Sequence, residues 1–231
     1  MPDNKLRAVI SATPRQRFSS DDLLLYAVTD RSWLRGRTLE SCVAAAIAGG
    51  ATIIQLREKQ VSFDELVALA YSIKQICHDA GVLFVIDDNV RAAVAADADG
   101  VHVGQDDSSC VQARKMLGPD KIVGVSVQTI AQARAAEAAG ADYLGVGALM
   151  PTATKPDAAE VTREELYDIC HAVSIPVVGI GGLNEQTIPC LAGSGACGAA
   201  VVSAIFAAHD CKAAARQLRT TCDQVFHAQQ L

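Results

Sequence analysis

One arrangement recurs along this chain and limits what it can become. An alanine-rich stretch of helical pattern stops at a glycine, and a short apolar run follows. The instances are AAIAGGATIIQ (45–55), DAGVLFVID (79–87), ADADGVHV (96–103), LGPDKIVGVS (117–126), AAGADYLGV (138–146) and AGSGACGAAVV (192–202). Glycine at the helix end supplies the left-handed stop. The run behind it is apolar without alternation, as in a strand buried on both faces. Strands are expected near 23–28, 52–56, 83–87, 100–103, 122–126, 142–146, 176–180 and 199–202. A unit of roughly 25 residues suits consecutive strand–helix pairs, and eight such pairs close into a (β/α)₈ TIM barrel. An open doubly wound sheet is the alternative, but the chain carries no dinucleotide fingerprint. Helix starts are legible at Ser62-Phe-Asp-Glu65 and Thr162-Arg-Glu-Glu165, which both fit the capping box. Residues 1–20 hold Pro2, Pro14 and several basic side chains without an apolar period, and read as a loosely ordered leader. Residues 21–231 form the barrel domain.

Composition sharpens this reading. The 231 residues are 50% hydrophobic and only 4% aromatic, enough for one large α/β unit. A net charge of −6 argues against nucleic acid or an anionic membrane as a general partner. Eight cysteines show no C-x-x-C spacing, and Cys42, Cys77, Cys170, Cys190 and Cys222 fall in helical patterns. They read as small buried thiols of a reducing, cytoplasmic protein. The uncharged run 191–208 is interrupted by Gly193, Ser194, Gly195, Gly198 and Ser203, so loop, strand and loop fit it better than a membrane span.

If the chain is a barrel, its chemistry belongs where strands end, and polar residues gather there. The second strand exits through Gln55-Leu-Arg57-Glu-Lys59, whose first, third and fifth residues share one face. Two cations side by side repel unless an anion binds, and a polyphosphate would do so with charge-assisted bonds. The plainer alternative is a solvated exit with Glu58 neutralising the pair. The third strand ends at Asp87-Asp88-Asn89, and the fourth leads through His102 to Gln105-Asp106-Asp107. Two carboxylates about 5 Å apart repel by about 3 kcal/mol at an effective dielectric near 20. A proton, a lysine or a divalent cation must offset that. Oxygen ligands beside a phosphorylated substrate favour Mg²⁺; a shared-proton dyad or helix capping by Asn89, Asp106 or Asp107 are the rivals. His102 reads as a satisfied barrel histidine, and Ser126 offers a hydroxyl at the end of the fifth strand.

The segment GVGALMPTATKP (145–156) runs from strand to a loop constrained by Pro151 and Pro156. Thr152, Thr154 and Lys155 supply two hydroxyls and one ammonium for an anion. Gly181 and Gly182 after the seventh strand, with Val202 and Ser203 after the eighth, match the usual barrel phosphate site. Anion-binding features thus come twice: one set suits a monophosphate, the other a more highly charged group with a metal. Two phosphorylated substrates and pyrophosphate as leaving group are the reading they support.

Taken together, YAVTD, QLREK, VIDDN, DGVHVGQDD, GVS, GVGALMPTATKPDA, VVGIGG and VVSAI, in this order, resemble the thiamine phosphate synthase family over nearly the whole barrel. The resemblance implies a transferase joining 4-amino-2-methyl-5-hydroxymethylpyrimidine diphosphate to 4-methyl-5-(2-phosphoethyl)thiazole, forming thiamine phosphate and pyrophosphate. It assigns Gln55, Arg57, Lys59, Asp87, Ser126 and Lys155 to the pyrimidine diphosphate. Asp88 and Asp107 would bind Mg²⁺, and Thr152, Thr154, Gly182, Val202 and Ser203 would hold the thiazole phosphate. Arg57, Lys59, Lys155 and Ser126 are the expected catalytic residues. Two small phosphorylated heterocycles are then the partners, with a homo-oligomer possible. Two departures stand out: Asp87 replaces a commoner asparagine, and Ala148, Leu149 and Met150 replace a proline/aromatic version.

Charge suggests the mechanism. Electron release from an aminopyrimidine lets the exocyclic C–O bond break early, and the cations stabilise the departing pyrophosphate. A thiazole tautomerase, a silent phosphate-binding barrel and other sugar-phosphate or indole-type barrel enzymes are the competitors. The strand-two cations, the paired aspartates and the Thr-x-Thr-Lys loop favour the synthase.

Overall fold

A computed structural model describes residues 18–105, 109–151 and 160–227. Its strands are β1 (Leu25–Val28), β2 (Ile53–Leu56), β3 (Leu83–Asp87), β4 (Gly100–Val103), β5 (Ile122–Val127), β6 (Tyr143–Val146), β7 (Val177–Ile180) and β8 (Gly198–Val201). Each pairs in parallel with the next, and β8 returns to β1, closing the sheet. The expected TIM barrel is present, with strand limits within about two residues of those read from the sequence, the usual uncertainty of element ends. The helices are α1 (Leu39–Ala48), α2 (Phe63–Asp79), α3 (Val90–Ala95), α4 (Cys110–Leu117), α5 (Ile130–Ala138), α6 (Arg163–Ala172), α7 (Ser203–Phe206) and α8 (Cys211–Cys222). Between β7 and β8 the crossover carries only a 3₁₀ turn, Ile188–Leu191, started by Pro189.

Local chemistry sets these limits. Both expected capping boxes form, at Ser62/Glu65 and Thr162/Glu165. A third, Ser19/Asp22, opens a 3₁₀ turn over Ser20–Leu23. That turn brings Leu23 and Phe18 against the lumen side chains, with the Phe18 ring 5.8 Å from that of Tyr143. Residues 1–17 of the expected leader lie outside the described residues.

Alternation along each strand divides the core in two. Leu25, Ala27, Ile54, Leu56, Phe84, Ile86, Val101, Val103, Val123 and Val125 face the helices in one continuous layer. The lumen is filled by a smaller set, including Tyr26, Ile53, Val85, Ile122, Tyr143, Val178 and Ala200. Gly124 is required there: a Cβ would sit 2.1 Å from the Tyr143 ring, so this glycine makes room for a tyrosine inside a narrow barrel.

All eight cysteines carry free thiols. Burial pushes Cys77, Cys170, Cys197 and Cys222 up to about 12, so they remain protonated packing groups. The run 191–208 contains the end of the 3₁₀ turn, then β8 and α7. Among the described residues no helix is long and apolar enough to cross a membrane.

At the end of the barrel away from the strand exits, Asp97 accepts from Lys121 at 2.5 Å and Lys74 at 2.8 Å. These two ammonium groups hold its carboxyl at about 2. The folded value lies below the unfolded one, so the stabilisation is present at neutral pH and is lost as pH falls from about 4 to about 2. The side chain is mostly exposed, and screening keeps the effect small. Asp97→Asn, which tolerates the observed φ of +50°, is expected to lower stability at pH 7 by at most about 1 kcal/mol. Urea midpoints of the two proteins should approach one another as pH falls through about 2.

Candidate active site

Strand alternation carries a few polar side chains into the barrel at its C-terminal end. Inward positions on β2 are Ile53 and Gln55, on β3 Val85 and Asp87, on β4 Gly100 and His102, and on β5 Ile122, Gly124 and Ser126. The registers set Gln55 beside Val85, Asp87 beside His102, and His102 beside Gly124. The last inward residues of four neighbouring strands are therefore Gln55, Asp87, His102 and Ser126. Apolar residues fill the lumen below them, so charge is confined to the mouth.

Asp87 is the hub of the charged side. Gln55 donates through Nε2 to Asp87 Oδ1 at 3.0 Å. The second oxygen, Oδ2, has Lys59 Nζ at 3.0 Å and Arg57 Nε at 3.7 Å. Lys59 also donates to Asp88 Oδ2. The expectation that Gln55, Arg57 and Lys59 share a face is met, since all three reach one carboxylate. Burial opposes the Lys59 charge, but its bonds to Asp88 and Asp87 outweigh that and raise its pKa.

Local backbone bonds set up this cluster. Thr29, fully buried just after β1, accepts the Arg57 backbone N–H through Oγ1 at 2.9 Å. Asp88 adopts a left-handed φ of +59°, which aspartate tolerates better than most residues. Its N–H donates to His102 O at 2.8 Å, and the next amide, of Asn89, donates to Asp87 O. Asn89 then caps α3 through Ala92 N, so its capping role is realised. The α4 cap is Ser109. Among the described residues Glu58 makes no close ion pair with Arg57 or Lys59, although the Arg57 charge still favours its ionised form. Its side chain turns toward Arg31, 3.8 Å away; burial raises its pKa, and Oε1 has no hydrogen-bond partner among the described residues.

A second feature runs down the lumen from the mouth. Ser126 Oγ lies 2.8 Å from His102 Nε2, His102 Nδ1 lies 3.0 Å from Tyr143 Oη, and Tyr143 Oη lies 2.7 Å from Tyr26 Oη. Tyr26 and Tyr143 are buried, and desolvation pushes both phenols up. Among the described residues the Tyr26 hydroxyl meets only Tyr143, so its proton is satisfied if it donates there. Tyr143 then donates to Nδ1, and the ring N–H at Nε2 donates to Ser126. This order leaves the Ser126 hydroxyl proton free to donate into the mouth. Gln105 fixes the same corner by donating to Ser126 O at 2.8 Å.

The β6–β8 side of the mouth is built from backbone. Leu149 N donates to Ile180 O and Met150 N to Gly181 O, laying the loop after β6 along the loop after β7. Gly182 has φ +62°, and a Cβ there would meet Met150 Cβ and Pro151 O at 2.6 and 2.7 Å. This close approach sets Met150 and Pro151 beside Gly182. Val202 and Ser203 lead from β8 into α7, whose first turn has no side-chain cap. Asp107, Thr152, Thr154 and Lys155 lie outside the described residues. The placed residues thus form two groups: Gln55, Arg57, Lys59, Asp87, Asp88 and Ser126 over β2–β5, and Gly182, Val202 and Ser203 over β7–β8.

The reading of His102 as a satisfied barrel histidine agrees with its lumen bonds, whereas no role for Tyr26, Tyr143 or Thr29 was legible. Inward parity was the signal available for the two tyrosines. Thr29 had none, because its partner is a backbone amide on another strand.

The chain resembles known proteins over most of its length. The family model described as thiamine monophosphate synthase matches residues 25–205. The chain is 47% identical over 196 residues to the thiamine-phosphate synthase of Moorella thermoacetica, covering 84% of this chain and 93% of that protein. It is 47% identical over 199 residues to the enzyme of the same name from Chloroflexus aurantiacus, covering 86% and 92%. The solved thiamine phosphate pyrophosphorylase from Pyrococcus furiosus superposes with a TM-score of 0.83 at 37% identity, over 89% of this chain and 98% of that one.

The proton order in the lumen has a measurable consequence. Tyr143→Phe strands both the Tyr26 donor and the His102 Nδ1 acceptor, and is expected to cost about 2–4 kcal/mol in urea unfolding. Tyr26→Phe leaves Tyr143 donating to His102 and should cost about 1 kcal/mol. Equal losses in the two variants would contradict the assigned direction.

Proposed function

The chain belongs to the thiamine-phosphate synthase family of transferases, and on that premise we propose how its barrel mouth performs the reaction. The substrates are 4-amino-2-methyl-5-hydroxymethylpyrimidine diphosphate and 4-methyl-5-(2-phosphoethyl)thiazole; the products are thiamine phosphate and pyrophosphate. The observation that carries the assignment of roles is the convergence of Gln55, Arg57 and Lys59 on the Asp87–Asp88 edge. It places cations and an amide beside carboxylates at one point of the rim, with the Ser126 hydroxyl two strands away.

In this reading the β2–β5 side takes the pyrimidine diphosphate. Gln55 Nε2 is committed to Asp87, so Gln55 Oε1 is left to accept from the exocyclic amine. Ser126 donates its free proton to an acceptor on the same substrate. Arg57 and Lys59 pair with the diphosphate, joined by Lys155 from the loop after β6. Gly182, Val202 and Ser203, with Thr152 and Thr154, hold the phosphate of the thiazole through backbone amides and hydroxyls.

The acid edge fits a hard divalent cation. Its donors are carboxylate oxygens, and Mg²⁺ commonly uses one or two of these together with substrate phosphates. Asp88 and Asp107 would hold it, and it would supply charge neutralisation for the diphosphate.

The chemistry then needs no protein nucleophile. The exocyclic C–O bond breaks with its electron pair leaving on pyrophosphate, while electron release from the aminopyrimidine supports the resulting benzyl-like cation. Arg57 and Lys59 stabilise the developing charge on the leaving group. The thiazole nitrogen lone pair forms the new C–N bond, so the net reaction consumes no proton.

Mixing both substrates with Mg²⁺ and assaying pyrophosphate tests this reading. Release should stop in EDTA, and Asp88→Ala should nearly abolish it. Arg57→Ala should lower kcat by about 100-fold, as for loss of one charge-stabilising donor. Normal turnover in EDTA or with Asp88→Ala would sink the metal role, and no pyrophosphate from the native protein would sink the whole assignment.

A further inference from the structure

The four ionic groups Arg57, Lys59, Asp87 and Asp88 on the β2–β3 rim cancel in formal charge. Arg57 and Lys59 stand against Asp87 and Asp88, and Lys59 contacts both carboxylates. Asp87 is the better protected acid, with 13% of its side chain exposed against 25% for Asp88. A polyanion arriving here therefore meets cations already engaged. To pair with it, Arg57 and Lys59 must leave Asp87, and that strips two adjacent carboxylates of their counter-ions. Like charges on consecutive residues need a replacement cation.

We propose that Asp87 is a built-in competitor for the strand-two cations and makes capture of a diphosphate conditional on a divalent cation. In the resting state Lys59 occupies the acid edge as an internal counter-ion. In the loaded state a divalent cation neutralises that edge, and Lys59 with Arg57 turns to the diphosphate. The exchange rests on the reading above that this rim receives a diphosphate with a metal. It assigns Asp87 a role distinct from touching the pyrimidine: it sets how strongly metal and diphosphate binding depend on each other. Reciprocity follows, because a metal that frees Lys59 helps the diphosphate by the same factor that the diphosphate helps the metal.

Asp87→Asn separates charge from shape. The amide oxygen still accepts from Gln55 Nε2, but the competing charge is gone. With inorganic pyrophosphate as probe, calorimetry in EDTA should show binding to Asp87→Asn about tenfold tighter than to the native protein. At saturating Mg²⁺ the two should differ by less than about threefold, since the metal already offsets the acid edge in the native protein. Asp79→Asn, on the exposed end of α2, makes the same change in net charge elsewhere and should leave metal-free binding unaltered. A second variant, Lys59→Met, removes the internal counter-ion. Electron paramagnetic resonance should show it binding Mn²⁺ several-fold tighter than the native protein without pyrophosphate, and gaining less when pyrophosphate is added.

Equal metal-free affinities in native and Asp87→Asn proteins, an equal gain in Asp79→Asn, or unchanged Mn²⁺ affinity in Lys59→Met would overturn the proposal. Those outcomes would leave the transferase reading intact. Failure of the native protein to bind pyrophosphate even with Mg²⁺ would instead remove the premise that this rim takes a diphosphate, and the proposal with it.

Discussion

Closing eight short parallel strands creates a lumen into which every second side chain must fit, and the other features follow from that confinement. The interior has no room for unpaired charge and no water in quantity to solvate it. Tyr26, Tyr143 and His102 fill it, and glycine at position 124 clears the space that the Tyr143 ring occupies. Polar atoms that do enter are joined end to end, from Tyr26 through Tyr143 and His102 to Ser126. Charged groups can only stand at the last inward positions, where the strands open to solvent. Packing thus confines the chemistry to one face.

At that face the important quantity is charge balance. Asp87 and Asp88 would repel each other and Arg57 would repel Lys59, yet interleaved they neutralise one another. A neutral resting rim avoids the cost of like charges in a partly buried place. The proposed exchange of partners on diphosphate binding starts from this neutral rim. The hydroxyl of Ser126 is prepared differently, by a line of buried donors that points its proton outward. One half of the site is thus labile and ionic, and the other rigid and neutral.

Much of this was legible without coordinates. Glycine stops, apolar runs and the capping boxes at Ser62 and Thr162 are local signals, so all eight strands were placed with their ends. Strand parity brought Gln55, Arg57 and Lys59 to one face, and they meet at Asp87. The capping motif at Ser19 departs from the usual pattern, because its N3 residue is Asp22, a shorter acid than glutamate or glutamine. The choice between Glu58 and the strand-three acids as counter-ion was not legible. Glu58 is next to both cations in sequence, but it turns toward Arg31 instead.

The amino-acid order by itself determined the number of strands, where each ends and which residue types stand at those ends. These depend on hydrogen-bond geometry and side-chain period within a few residues. Only the tertiary structure decided which acid holds which cation and which way the lumen protons run. Those outcomes join residues 29 positions apart for Lys59 and Asp88, 24 for His102 and Ser126, and 117 for the two tyrosines. Strand register and barrel closure set such distances, and no local pattern encodes them.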